Sequence, residues 1–186
     1  TKPNNFHLKP REAFLLTNCC WLILSAYAAL PFCIELHISY TDAFFETMSG
    51  ITTTGSTVLT GLDGIERGIL LWRSLLQWLG GIGFIVMAVA VLPFLKIGGM
   101  RLFQSESSDW SEKVMPRSGS IAKRIVFVYV GLTVVCAYLY FLGGMSGFEA
   151  INHAMTTLST GGYSTSDSSM AHFSNHYLHW VATFFM

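Results

Sequence analysis

The sequence predicts an all-α integral membrane fold built from repeated helix, re-entrant loop and helix units. Three observations carry this prediction. The 186 residues are 52% hydrophobic and only 12% charged, with a mean hydropathy of +0.48, whereas a soluble domain carries about 25% charged residues. Three uncharged runs, residues 13–34, 74–95 and 125–148, each reach the ~20 residues an α-helix needs to cross a bilayer. Two apolar but Gly/Thr-rich stretches, 41–61 and 147–165, follow the first and third runs.

The elements follow in order. Backbone polar groups in hydrocarbon must be satisfied within their own segment, so the three runs are expected as helices. Pro93 should kink or end the second. A fourth run starts near Tyr177 and stops at Met186, as expected of a fragment of a longer polypeptide. Stretch 41–61 is too short and too rich in Gly and Thr to cross. Thr41 or Asp42 is expected to cap a short helix that fades near Gly50, after which extended backbone climbs back. Stretch 147–165 reads the same way. At an offset of 107 residues Ala43 falls on Ala150, Met48 on Met155, Thr53 on Thr160 and Gly55 on Gly162. The expected units are residues 1–95 and 120–186, joined by a linker over 96–119.

Charge sets the expected orientation. Nine of eleven basic residues lie in the N-terminal tail or between Lys96 and Arg124, and the positive-inside rule makes that side cytoplasmic. The hairpin side carries Arg67 and Arg73 against Glu35, Asp42, Glu46, Asp63, Glu66, Glu149 and Asp167, an electronegative outer face that should concentrate cations. Zero net charge and the absence of a basic block argue against a nucleic-acid partner. Cys19, Cys20, Cys33 and Cys136 sit in apolar runs without a CxxC pair, and read as small helix residues.

The two hairpins hold the candidate chemistry. A bare cation in a membrane needs oxygen ligands in place of water, and rings of backbone carbonyls supply them without charged side chains. Thr53-Thr54-Gly55-Ser56-Thr57 and Thr160-Gly161-Gly162-Tyr163-Ser164 combine Gly, which tolerates the required dihedrals, with hydroxyls. Both are similar to the potassium-channel filter pattern TVGYG. An external Ser/Thr/Gly loop is the plain alternative, against which the duplication speaks. TTTGST lacks the lysine of a phosphate loop, and neither GxSxG nor a Ser–His pair suggests an enzyme. His172, His176 and His179 would share one helical face, better read as head-group contacts than as zinc ligands; no transition-metal site is expected. Trp72, Trp78, Trp110 and Trp180 read as interface anchors, and Gly80, Gly81 and Gly83 as a smooth packing stripe.

The stretches DAFFETMSGITTTGSTVL, LLQWLGGIGFIVMAVAVLP and INHAMTTLSTGGYSTSDSSM resemble the Trk/Ktr/HKT superfamily of potassium transporters, most closely its TrkH/TrkG-type bacterial membrane subunits. The resemblance runs over nearly the whole chain. It implies four helix–pore loop–helix repeats around one pore, as in potassium channels, with this chain as the second repeat and most of the third. The potassium-binding filter residues it implies are Thr53, Thr54, Gly55 and Ser56, with Thr160, Gly161, Gly162 and Tyr163. Also implied are a homodimer in the bacterial inner membrane with its filter outward, and a cytosolic TrkA-type regulatory subunit. The chain itself needs no cofactor by this resemblance: potassium is its substrate, and NAD or ATP belongs to the regulatory subunit. A channel and a proton- or sodium-coupled symporter both fit, and a non-transporting scaffold or sensor on the same fold is the alternative.

Overall fold

The computed structural model describes residues 10–91 and 114–186. Among them the chain is helical, with no strand, and three stretches are long and apolar enough to span a membrane: Phe14–Leu36, Arg67–Met87 and Ala122–Leu142. The first comprises α1 (Pro10–Ala28) and α2 (Leu30–Leu36). The expected helix over residues 13–34 is thus one span with a local interruption at Ala29. Pro31 has no N–H to return to the Tyr27 carbonyl, so one rung of the ladder is missing. Bonds from Ala29 N–H to the Ser25 carbonyl (3.0 Å) and from Cys33 N–H to the Ala29 carbonyl (3.2 Å) keep the break local.

The short helices start on serines. At α3 (Tyr40–Ile51) the N-cap is Ser39, not Thr41 or Asp42: its hydroxyl oxygen accepts the Asp42 N–H (3.1 Å). At α6 (Gly147–Leu158) Ser146 and Glu149 form a complete capping box. Ser39 and Ser146, and likewise Asp42 and Glu149, stand 107 residues apart, so the repeat extends into the caps. Between them run α4 (Arg67–Val91) and α5 (Val114–Leu142), and α7 (His176–Phe185) follows. Helix α5 stops before residue 148, where the uncharged run ends. Gly144 takes a φ of +100°, and the N–H groups of Gly144 and Met145 return to the carbonyls of Phe141 and Tyr140, a Schellman stop. Pro93, Trp110 and linker residues 96–113 lie outside the described residues.

Helix α4 packs against both short helices, α3 and α6; α1 covers α3, and α5 covers α6. One apolar core joins α2, α3 and the start of α4 through Phe32, Ala43, Ile69 and Leu70. A second joins α5, α6 and α7 through Cys136, Tyr140, Ala154 and Leu178. The outer faces of α1 and α5 leave Leu15, Ile23, Phe127 and Val134 more than half exposed. With hydrocarbon as the solvent, such side chains are lipid contacts rather than a liability.

Candidate functional site

Helix α4 serves as a ruler for the two hairpins. Helix α3 begins beside the first turns of α4, where Ala43 shares a core with Ile69 and Leu70. It ends about halfway along, with the Ile51 carbonyl against Gly80. The chain then returns, so that Thr57 reaches Arg73 and Leu59 rejoins the core at Ile69. The second hairpin turns one residue further along the same helix, where Ser159 meets Gly81, and returns past Gln77 to Arg73. Segments 53–57 and 160–164 therefore lie side by side at one level, spanning about 10 Å of α4 at 1.5 Å per residue. The glycine stripe acts as expected: a Cβ at Gly80 would overlap the Ile51 carbonyl, and one at Gly81 would sit 2.8 Å from the Tyr129 hydroxyl.

The backbone repeats residue for residue. Thr53 and Thr160 adopt φ of 56° and 55°, and Gly55 and Gly162 adopt 80° and 77°. Left-handed dihedrals thus recur at alternate positions in both segments. Glycine meets them freely, and threonine at a cost of about 1–2 kcal/mol. The turns are tied alike. Thr54 N–H donates to the Ser49 carbonyl (2.9 Å) and Gly161 N–H to the Thr156 carbonyl (3.0 Å). Gly55 approaches Gly161 so closely that a Cβ would overlap the Gly161 carbonyl oxygen, whereas a Cβ at Gly162 meets no described atom within 4 Å. Thr54, Ser56, Thr160 and Gly162 are exposed, Thr53 and Gly55 are half-buried, and Gly161 and Tyr163 are buried. Beneath the turns lies a cavity of about 400 Å³ lined by Thr52, Thr53, Ser159, Thr160 and Tyr129, among others.

Behind the segments is an ion pair. Glu46 and Arg73 are 0% and 1% exposed and meet at 2.7 Å. These two charges neutralise each other inside, which leaves Arg67 against Glu35, Asp42, Asp63, Glu66, Glu149 and Asp167 on the hairpin side, still an excess of acids. The Glu46 carboxylate also accepts the Thr57 hydroxyl (2.9 Å) and Val58 N–H (3.1 Å). Arg73 donates to the Ser164 carbonyl (3.2 Å) and lies 4.1 Å from the Tyr163 ring centroid. The Tyr163 hydroxyl donates to the carbonyls of Glu46 (2.8 Å) and Ser56 (3.3 Å), and its N–H donates to Gln77 Oε1 (3.1 Å). Sequence reasoning missed Gln77 and the pairing of Glu46 with Arg73. The available signal was an acid and an arginine placed within apolar stretches, where an unpaired charge is costly.

Other sequence expectations are redistributed. His172 belongs to a 3₁₀ turn (Ser169–His172) and only His176 and His179 share α7, so the three do not form one helical face. Among the described residues no His/Cys/Asp/Glu group is arranged to hold a metal ion. Trp72 and Trp78 are helix ties, donating to the Ala28 carbonyl (3.1 Å) and the Thr133 hydroxyl (3.0 Å); Trp180 stays 74% exposed. Further along the chain, the Asp167 carboxylate accepts the N–H groups of Gly61 (3.0 Å) and Leu62 (3.2 Å), tying the ends of the two hairpins together.

Comparison with known proteins agrees with this architecture. A family model described as a cation transport protein, TrkH, matches residues 1–186. The chain is 51% identical over 181 residues to the Trk system potassium uptake protein TrkI of Halomonas elongata, covering 96% of this chain and 37% of that protein. It is 43% identical over 183 residues to the Trk system potassium uptake protein TrkH of Escherichia coli, covering 96% and 38%. Among solved structures, the potassium transporter TrkH from Vibrio parahaemolyticus superposes with a TM-score of 0.84 at 41% identity, covering 100% of this chain and 37% of that one. The chain thus spans somewhat over a third of the length of these relatives.

Proposed function

This chain belongs to the TrkH family of cation transport proteins, and we propose that it supplies two of four pore repeats, the second and third, to a subunit that takes up potassium. Residues 1–95 and 120–186 are the two units. Thr53, Thr54, Gly55 and Ser56, with Thr160, Gly161, Gly162 and Tyr163, present backbone carbonyls to the ion. The observation that carries this reading is the paired left-handed geometry at 53/55 and 160/162, side by side at one level of α4. Alternating handedness turns successive carbonyls toward a common side, which a dehydrated cation requires. The C-terminal, partly negative ends of α3 and α6 meet the cavity below, adding favourable potential for a cation. The subunit is a multi-pass protein of the bacterial inner membrane with its filter outward. It forms a homodimer and is regulated by a cytosolic TrkA-type nucleotide-binding subunit, whose NAD or ATP this chain does not hold.

Uptake in a potassium-uptake-deficient host carrying the full-length polypeptide tests the filter. Gly162→Ser should lower potassium-over-sodium preference, because a Cβ at a φ of +77° displaces a carbonyl. Removing an exposed acid, Asp63→Asn, should lower uptake at low potassium and leave the preference unchanged, since it alters only local cation concentration. Asp63 suits this test better than Glu149, whose carboxylate closes the α6 cap. Wild-type preference in Gly162→Ser together with lost preference in Asp63→Asn would refute the carbonyl filter. For orientation, Ser107→Cys should resist an impermeant thiol reagent added to intact cells; rapid labelling would reverse the proposed sidedness.

A further inference from the structure

We infer that Arg73 is a positioning residue for ion preference, holding the two segments in register through Glu46 and Tyr163. This inference rests on the carbonyl-filter reading above. Its donors are distributed between the hairpins. Nε and Nη2 go to Glu46 (2.9 and 2.7 Å) and Nη2 also to the Thr57 hydroxyl (3.1 Å), all in the first hairpin. Nη1 goes to the Ser164 carbonyl (3.2 Å) in the second. The guanidinium carbon lies over the Tyr163 ring, 4.1 Å from its centroid. Thr57 and Ser164 immediately follow the two sets of filter residues, so one rigid, planar cation fixes the outer ends of both. Lysine, a point charge on a flexible stem, cannot reproduce that fork.

The rest of the arrangement holds Tyr163 from both ends. Its hydroxyl is fixed by the Glu46 and Ser56 carbonyls. Its N–H is fixed by Gln77, one turn along α4 from Arg73 and 0% exposed, which packs so tightly on Gly161 that no Cβ fits there. A displacement of Arg73 is therefore transmitted along the Tyr163 side chain to the Gly161–Tyr163 backbone. Because Glu46 neutralises Arg73 at contact distance, the pair exerts little net field on a cation and acts through geometry. Among the described residues the brace is also made only once. At the 107-residue offset His153 replaces Glu46 and Trp180 replaces Arg73, and Trp180 is exposed. Both segments depend on the single pair.

The test is made in the full-length protein in a host lacking its own potassium uptake. Potassium and sodium uptake are measured separately for Arg73→Lys, Glu46→Gln and Tyr163→Phe, each normalised to the amount of protein in the membrane. Arg73→Lys and Tyr163→Phe should each lower the potassium-over-sodium ratio by about tenfold, which corresponds to about 1.4 kcal/mol, the scale of one hydrogen bond. A role in folding alone would reduce abundance and both uptakes in proportion and leave the ratio unchanged. An unchanged ratio in the variants that reach the membrane overturns the inference. If the Arg73 and Glu46 variants fail to accumulate, Tyr163→Phe decides, because it keeps the ring beneath Arg73 and removes only the hydroxyl. Gly162→Ser is measured alongside. A shifted ratio there with none at Arg73 or Tyr163 overturns the brace and leaves the filter standing, whereas no shift at any position overturns both.

Discussion

Alanine at the two left-handed glycines should have unequal consequences. Gly55 and Gly162 share nearly the same φ, 80° and 77°. The backbone strain of an alanine is therefore the same at both, about 1–2 kcal/mol. Their surroundings differ. The new Cβ at Gly55 would overlap the Gly161 carbonyl oxygen, a backbone atom held in place by Gln77 and Tyr163; at Gly162 it meets no described atom within 4 Å. Forcing a methyl into packed backbone adds about 1–3 kcal/mol. The expected totals are about 2–5 kcal/mol for Gly55→Ala and about 1–2 kcal/mol for Gly162→Ala. The assay is thermal inactivation of detergent-purified full-length protein, followed by fluorescence-detected gel filtration, with potassium and sodium uptake measured in parallel. Gly55→Ala should melt at the lower temperature and lose more of its ion preference, since it pushes the two segments apart. Equal effects, or a larger loss at Gly162, would refute the close approach of Gly55 to Gly161 on which the estimate depends.

Three further outcomes follow from the geometry. Gly80→Ala should strongly reduce folded protein, because its Cβ would drive the end of α3 off α4, whereas Gly68→Ala, with open space around it, should be neutral or stabilise by under about 1 kcal/mol; protein yield in membranes compares them. Ser146→Ala should lower stability by about 1 kcal/mol through loss of the α6 cap, read as a lower melting temperature. Burial alone would raise the Glu149 carboxyl, but hydrogen bonds from the Ser146 hydroxyl and backbone N–H outweigh it and hold it below the usual carboxylate range. Because the folded value is the lower one, this stabilisation is present above the ordinary carboxylate value and lost as pH falls through the depressed one. Glu149→Gln should therefore flatten the acid limb of the melting-temperature profile.

The sequence made the outline of this fold legible because its strongest signals are local. Uncharged runs mark the spans, and Gly55 and Gly162 mark the left-handed turns. Helix ends were less legible: Pro31 interrupts a run whose apolar character is unbroken, and Gly144 ends α5 within another. The serine caps at Ser39 and Ser146 carried a readable signal, an acid three residues on, repeated at the same offset. Thr53 and Thr160 were expected at their positions but not in left-handed dihedrals, which threonine adopts only when surrounding bonds impose them. Least legible was what stands behind the segments. Glu46, Arg73 and Gln77 are far apart in the chain from Ser164 and Tyr163, and no period of hydrophobicity joins them. Their pairing is a tertiary fact, and it changes two apparent surface charges into one internal strut.

Helix α4 also bears on heredity. An internal duplication of the kind proposed above begins as two interchangeable halves, yet here α4 is the support on which the second hairpin's returning segment rests. Arg73, Gln77 and Gly81 belong by position to one copy and by contact to both. The copies have therefore lost the freedom to diverge separately. A substitution at Ser164 or Tyr163 is constrained by residues of the neighbouring copy, and suppressors of defects in either copy should arise in the other. A chimaera that exchanges one half for that of a distant relative would separate partners that have adapted to each other, unless residues 160–165 travel together with α4.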